Sequence, residues 1–258
     1  MTLPSHPAPV VVNHKGRTIH LRADDDRGAA LAVAGGALTP ASLRIWQQLL
    51  DERPWDLVVD VGANYGELLL GADIPAGARV VAFEPEPTIR GCLERSVVAA
   101  GLSIEIRPEA LADREGTLRF LADDRWSGTS RLAFGDEDSG PLREAVVQGT
   151  TLDLVFNDTA ARSACIKIDV EGAEDLVLAG GAGLFRRLDR LAIVVEILHR
   201  STEQVAQWAA AWRLYLSDVR SGQLVRVRPD EPDHVRHLLQ QPWIYGQDAV
   251  LRPLRERG

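Results

Sequence analysis

Three groups of residues have the types and spacing to do chemistry. Asp60, Gly62, Asn64 and Gly66 lie in Val59-Asp60-Val61-Gly62-Ala63-Asn64-Tyr65-Gly66, where a strand-like run enters a glycine-flanked turn. Glycine lets a backbone approach a ligand closely, and a helix start after the turn suits an anionic group such as a phosphate or a carboxylate. The spacing is G-x-x-x-G rather than the G-x-G-x-x-G of dinucleotide folds, which disfavours a pyrophosphate. The plain alternative is a structural strand-to-helix turn. Glu84 ends the second run, Val80-Val81-Ala82-Phe83-Glu84, and precedes Pro85. A carboxylate about 20 residues after the glycine turn can accept both hydroxyls of a ribose. The competing reading is a solvated acid in a turn.

The third group is Ile166-Lys167-Ile168-Asp169-Val170-Glu171-Gly172-Ala173-Glu174, with Glu196 and His199 beyond the apolar run Leu191–Ile197. Strand alternation puts Lys167 and Asp169 on one face. Asp169 and Glu171 can act as a base, orient an amine or hold a metal. Glu171 or Glu174 can instead favour the start of the next helix. Glu196 leaves a buried strand, which costs free energy unless the acid is paired or used. His199 has the ordinary pKa range of a general base, or is a surface histidine. Trp126-Ser127-Gly128-Thr129-Ser130 could cover a cofactor or form a surface turn. Asp153 suits a helix cap better than a catalyst.

These residues need elements to hold them. Val10–Val12 and Thr18–Arg22 predict a hairpin around Asn13-His14-Lys15-Gly16. Asp24-Asp25-Asp26 breaks the pattern. Thr39 and Pro40 open a helix to about Asp51. From Leu57, strands and helices alternate: strands at Leu57–Val61, Arg79–Phe83, Ile104–Arg107, Thr117–Leu121, Val146–Leu152, Cys165–Val170 and Leu191–Ile197. Helices are expected from Glu67, over Pro87–Ala100, over Ala173–Leu188 with an interruption at Gly180-Gly181, and from Ser201 to about Trp212. Shorter strands follow at Arg213–Val219, Leu224–Arg228 and Ala249–Arg252. Residues 123–140 read as a long loop, of the kind that is functional or mobile in compact domains. The sum is a doubly wound α/β fold with a mostly parallel sheet. Residues 1–54 form an N-terminal hairpin and helical extension, a candidate substrate lid, and 55–258 the core.

Composition narrows the function classes. The chain has 258 residues, is 45% hydrophobic and carries a net charge of −8. It is long enough for one large domain. No basic run marks a nucleic-acid site, and no apolar run has the length of a membrane span. Cys92 and Cys165 lack metal spacing and read as buried thiols suited to a reducing cytoplasm. Residues 1–9 are proline-rich and expected to be loose, without signal-peptide character. High Arg and Ala content is associated with GC-rich bacterial genomes.

The chain resembles the FkbM-type methyltransferases, a branch of the class I S-adenosylmethionine-dependent enzymes. The carriers are the Val59–Gly66 block, Ala82-Phe83-Glu84-Pro85-Glu86-Pro87, Glu109-Ala110-Leu111 with Gly116, Ser127–Ser130, Thr151-Leu152-Asp153, the 166–174 block and Val195-Glu196-Ile197. They span residues 55–200. The resemblance implies a Rossmann-like seven-stranded sheet whose last strand is antiparallel. It implies Asp60, Gly62 and Asn64 around the methionine end of S-adenosylmethionine, with Gly66 and Pro85 in the two cofactor turns. It puts Glu84 on the ribose, Glu109 and Ala110 near adenine, and Asp169 near the methyl group. It implies O-methylation of a sugar or secondary metabolite. Ser96 and Ala100 stand where the family often has asparagines, which would alter packing beside adenine.

An acceptor hydroxyl needs a base. Asp169 and His199 are the candidates, with Glu171 and Glu196 in support. A divalent cation such as Mg2+ on Asp169 and Glu171 is weaker, because no third ligand is evident. The expected partner is a small hydroxylated molecule. The oligomeric state is open, a homodimer being one alternative. Rival readings are an NAD(P)-dependent oxidoreductase, which lacks its Tyr-x-x-x-Lys pair here, and a non-catalytic cofactor-binding partner protein.

Overall fold

Val10–Val12 (β1) pairs antiparallel with Thr18–His20 (β2), closing the expected hairpin. The computed structural model describes residues 9–255 apart from Asp136, Asp230 and Pro232. The expectation for the proline-rich start therefore falls almost wholly on residues 1–8, outside the described residues. At Asp24-Asp25-Asp26, where the sequence pattern only breaks, helix α1 (Asp26–Val33) begins. Asp25 is its cap, and its carboxylate accepts the amides of Arg27 and Gly28. Such a cap is worth about 1 kcal/mol. Helix α2 (Pro40–Asp51) has the expected bounds, but Thr39 makes no side-chain cap. Its hydroxyl instead donates to Glu67.

The next elements are β3 (Leu57–Val61), α3 (Glu67–Gly71), β4 (Arg79–Phe83), α4 (Pro87–Ala100) and β5 (Glu105–Arg107). Then come β6 (Ala110–Leu111), β7 (Gly116–Ala122), a 3-10 turn at Ser127–Thr129, β8 (Arg131–Leu132), β9 (Arg143–Thr150) and α5 (Leu152–Val155). The chain continues through β10 (Ser163–Ile168), α6 (Glu174–Gly180), α7 (Ala182–Arg187), β11 (Arg190–Glu196) and α8 (Thr202–Ala211). It ends with β12 (Arg213–Asp218), β13 (Leu224–Arg226), α9 (His234–Leu239) and β14 (Ile244–Arg252). Helix α9 has no counterpart in the sequence reading. Only Val235 and Leu238 are buried in it, too few for a periodic signal.

The main sheet has the order β5-β4-β3-β10-β11-β14-β12-β13. Strands β5, β4, β3, β10 and β11 are parallel. The last strand, β14, is antiparallel to β11, as expected. The sheet has eight strands rather than seven, because β13 folds back as a short edge hairpin on β12. Thr117–Leu121 does not join it. It belongs to β7, in a second sheet of order β6-β9-β7-β8. Among the described residues, no α-helix lies between β6 and β9; β7 pairs antiparallel with β8 and β9, and β6 lies parallel to β9.

Both faces of the main sheet are covered. On one, Val59, Ile166, Ile168 and Ile193 pack with Val177, Leu184, Val205 and Trp208 from α6, α7 and α8. On the other, Val58, Cys165, Val194 and Val250 meet Ile45, Trp46 and Leu49 of α2, with Leu69 and Leu93 of α3 and α4. Helix α2 thus shares the core of the sheet, each fully buried side chain contributing roughly 1.5–3 kcal/mol. The hairpin is tied on by Ser96, whose hydroxyl accepts the His20 amide and donates to the Cys92 carbonyl. Ser96 therefore faces the hairpin rather than an adenine site.

Asp153 is a cap, but not for its own helix. Its carboxylate accepts the amides of Gly183 (2.9 Å) and Leu184 (2.5 Å) at the start of α7. Asp153→Ala is expected to cost about 1–2 kcal/mol in denaturant unfolding while leaving ligand affinity unchanged. An intact midpoint would refute the cap.

Candidate active site

The strand order reverses between β3 and β10, and such switch points open a crevice at the carboxyl ends of parallel strands. Asp60 of β3 lies opposite Lys167 of β10, and Lys167 opposite Val194 of β11. Glu196 of β11 lies opposite Asp248 of β14. Residues two apart share a face. Asp60, Lys167, Asp169, Glu196 and Asp248 therefore prolong the apolar face of Val58, Cys165, Ala192, Val194 and Val250 into a polar rim. A cavity of about 340 Å³ sits on this rim, within the size range of small-molecule sites.

The glycine turn shapes one end. Gly62 has φ 78° and Asn64 φ 49°, and asparagine is among the residues that tolerate this left-handed region. The Asn64 amide donates to Glu84 Oε2 (2.8 Å), and the Glu86 amide to Glu84 Oε1 (2.9 Å). Burial pushes the Glu84 carboxyl up to about 7, against the pull of those two amides. Gly62, Asn64, Glu84, Pro85, Glu109 and Ala110 all line the cavity. Gly66 does not; it starts α3 at φ 77° and packs against Leu93. Glu109 is ion-paired with Arg107 at 2.7 Å.

Asp60 is 1% exposed, and its Oδ1 has no hydrogen-bond partner. The nearest cation, Lys167 Nζ, is 3.5 Å away and lies 3.1 Å from Asp169 Oδ2. Burial raises the Asp60 carboxyl. Burial also opposes the Lys167 charge, but Asp169 and Asp60 outweigh it and hold the ammonium above its ordinary value.

The other end is acidic. His199 Nε2 is 2.8 Å from Glu171 Oε2, so His199 reaches the cavity through Glu171. Glu171 adopts φ 55°. Burial first, then the charge of Asp169, raises its carboxyl, and His199 works against that rise. Glu196 is raised further by burial and then by Asp169, Glu171 and Glu174. Burial lifts Asp248 to about 6. Glu174 belongs to the scaffold: it accepts the Val170 and Gly172 amides and pairs with Arg200 at 2.8 Å.

Several lining residues escape the sequence reading. Arg27 donates to Asn64 Oδ1 (2.9 Å) and Glu67 Oε2 (3.0 Å), bracing the turn from α1. Asp25 accepts from Tyr65 Oη (2.5 Å), the Ser127 amide (3.0 Å) and Ser127 Oγ (2.7 Å). It thus ties α1 to the glycine turn and to the 123–140 loop. Trp126, Ser127 and Ser130 line the cavity, so that loop faces the site. Leu38, Thr39 and Ser42 overhang it from the start of α2. The only local signal for Asp248 is an acid within the alternation of β14.

The sequence matches the methyltransferase FkbM domain over residues 60–240. The chain belongs to the FkbM methyltransferase family. With membership come methyl transfer and use of S-adenosylmethionine. The matched span includes every motif of this FkbM site from Asp60 to His199, but not α1, the start of α2 or Asp248. No curated protein matches the chain. Similar solved structures include methyltransferases of distant sequence. An O-methyltransferase from Bacillus cereus in complex with SAH is 12% identical, covering 88% of this chain and 86% of its own, with a TM-score of 0.43. A SAM-dependent O-methyltransferase from Thermotoga maritima is 10% identical, covering 96% and 77%, at 0.44. An rRNA methylase from Streptococcus thermophilus is 15% identical, covering 83% and 95%, at 0.41. No helix among the described residues of this FkbM-family chain is long and apolar enough to cross a membrane.

Proposed function

We propose that the protein transfers a methyl group from S-adenosylmethionine to a hydroxyl oxygen of a small molecule, a sugar or a secondary metabolite. The observation that carries this is one cavity with two unlike ends: the glycine turn with Asp60 and Glu84, and the acids Asp169, Glu171 and Glu196. The residues fit the cofactor. Asp60 Oδ1, which lacks a hydrogen bond and has Lys167 Nζ only at 3.5 Å, suits an ammonium donor, and Glu84 keeps lone pairs for a ribose. Pro85, Glu109 and Ala110 lie on the adenine side. When bound, the sulfonium supplies an electrophilic methyl group for in-line displacement. Gly62 and Asn64 set the backbone of the turn, and Lys167 holds Asp169 against the floor. Asp169, with a side chain 36% exposed to the cavity, accepts the hydroxyl proton. Glu171 and Glu196 face the acceptor oxygen, with His199 behind Glu171. The start of α2 covers the acceptor through Leu38, Thr39 and Ser42. The choice of sugar or secondary metabolite is supported by the family resemblance alone.

Calorimetry with S-adenosylmethionine, its demethylated product and NAD separates this reading from its rivals. The first two should bind. Tight binding of NAD alone would sink the proposal. With a panel of hydroxylated acceptors, Asp169→Asn is expected to lower turnover about 10²–10⁴-fold, the scale of general-base catalysis, at unchanged cofactor affinity. Equal turnover would remove Asp169 as the base. A chain that binds the cofactor but turns over no acceptor would favour the non-catalytic rival.

A further inference from the structure

The geometry points to a divalent metal site formed by Glu171, Glu196 and His199 at the acceptor end of the cavity. One ligand atom from each lies within 4.8 Å of the other two. They come from three places: the turn after β10, the end of β11 and the loop that follows it. Bonds of about 2.0–2.2 Å put neighbouring ligands of one ion about 3 Å apart and opposite ones about 4 Å apart. The 2.8 Å between His199 Nε2 and Glu171 Oε2 matches the first distance.

A second observation is independent of this triad. Asp248 is 7% exposed and lines the same cavity, and its Oδ2 has no partner. It is the cross-strand neighbour of Glu196, which places its side chain beside Glu196 on the same face. Lys167 acts on Glu196 and Asp248 only from a distance, and no Lys or Arg makes an ion pair with Glu171, Glu196 or Asp248 among the described residues. Lys167 is held by Asp60 and Asp169, and Arg200 by Glu174 and Asp175. The Glu196 side chain has no hydrogen bond or ion pair among the described residues. Buried carboxylates without a counter-charge are costly, and a divalent ion would supply one. Two carboxylates with an imidazole suit Mn2+ or another hard-to-borderline ion. The side chain of His199 is 50% exposed, while Glu171 and Glu196 line the cavity, so an ion held by all three would lie at the cavity edge. A metal there binds the acceptor hydroxyl and lowers its pKa, with Asp169 still taking the proton. That role rests on the methyl-transfer reading; the metal site itself does not.

The test is Mn2+ titration of chelator-treated full-length protein, followed by the loss of the free-ion electron paramagnetic resonance signal. One Mn2+ per chain is expected. Glu196→Gln and His199→Ala should each weaken binding by at least about tenfold, with a melting temperature and S-adenosylmethionine affinity close to the parent's. Asp248→Asn should weaken Mn2+ as well. No Mn2+ binding, or binding unchanged in both ligand variants, overturns the site. Amine-bearing acceptors that need Glu196 while Mn2+ fails to bind would make the cluster an ammonium pocket and overturn it too. Mn2+ bound without any S-adenosylmethionine binding supports the site and sinks the methyl-transfer reading instead. Turnover unaffected by a chelator overturns the metal's role in the reaction.

Discussion

Gly62→Ala is expected to abolish cofactor binding and to destabilise the fold. A Cβ at this position would lie 1.9 Å from the Asp169 carbonyl oxygen. That neighbour is backbone, and the Asp169 amide is itself bonded to Val61 O, so neither side can yield cheaply. The left-handed φ of 78° adds about 1–2 kcal/mol for any residue with a Cβ, and overpacking adds about 1–3 kcal/mol. The sum, roughly 2–5 kcal/mol, corresponds to a fall in melting temperature of about 5–15 °C for a chain of this size. Gly91→Ala is the matched control. Gly91 lies in α4, where a Cβ meets nothing nearer than 3.7 Å, so alanine should stabilise by about 0.5–1 kcal/mol. Scanning calorimetry of both variants with and without S-adenosylmethionine checks the contrast. A Gly62→Ala protein that melts and binds like the parent would remove the turn from the site.

Glu84→Gln is expected to weaken the cofactor and to change how stability depends on pH. The folded carboxyl titrates at about 7, raised from 4.5 by burial. The folded state therefore holds this proton more tightly than the unfolded chain. The contribution of Glu84 to stability is greatest below pH 4.5 and is lost as pH rises towards 7. At 1.36 kcal/mol per pH unit the loss is roughly 3 kcal/mol. Glutamine has no such titration, so unfolding free energies measured between pH 5 and 8 should show a flatter decline in the variant. It also turns an amide N–H2 towards one of the two donors, Asn64 N–H or Glu86 N–H, and offers ribose an uncharged acceptor. Losing a charge-assisted bond of about 1.5–3 kcal/mol predicts about 10–100-fold weaker S-adenosylmethionine binding. Parallel pH slopes in the two proteins would show that Glu84 is not the titrating group, and equal affinities would take it off the ribose.

Much of this was legible in the sequence because it is local. The Gly62–Gly66 turn, the acid that ends β4 and the acids that follow β10 each announce themselves within ten residues. Backbone conformation and strand alternation are properties of neighbouring residues. The same locality explains the near match of β3, β4, α4 and α2 to their expected bounds. It also explains the misses. Nothing near Thr117–Leu121 says which sheet it joins, since that depends on partners in β8 and β9.

What tertiary structure alone decided is which distant side chains meet. Arg27 reaches Asn64 and Glu67 across about 40 residues, and Asp25 meets Ser127 across 102. Asp248 comes beside Glu196 only because β14 inserts antiparallel between β11 and β12. The sequence marked Glu171, Glu196 and His199 separately, while the fold brought one ligand atom of each within 4.8 Å of the others. Propensity and periodicity act along the chain, whereas sheet order and register are set by burying two apolar faces at once. The chemistry of each residue was therefore readable from its type and neighbours, and the grouping into one site was not.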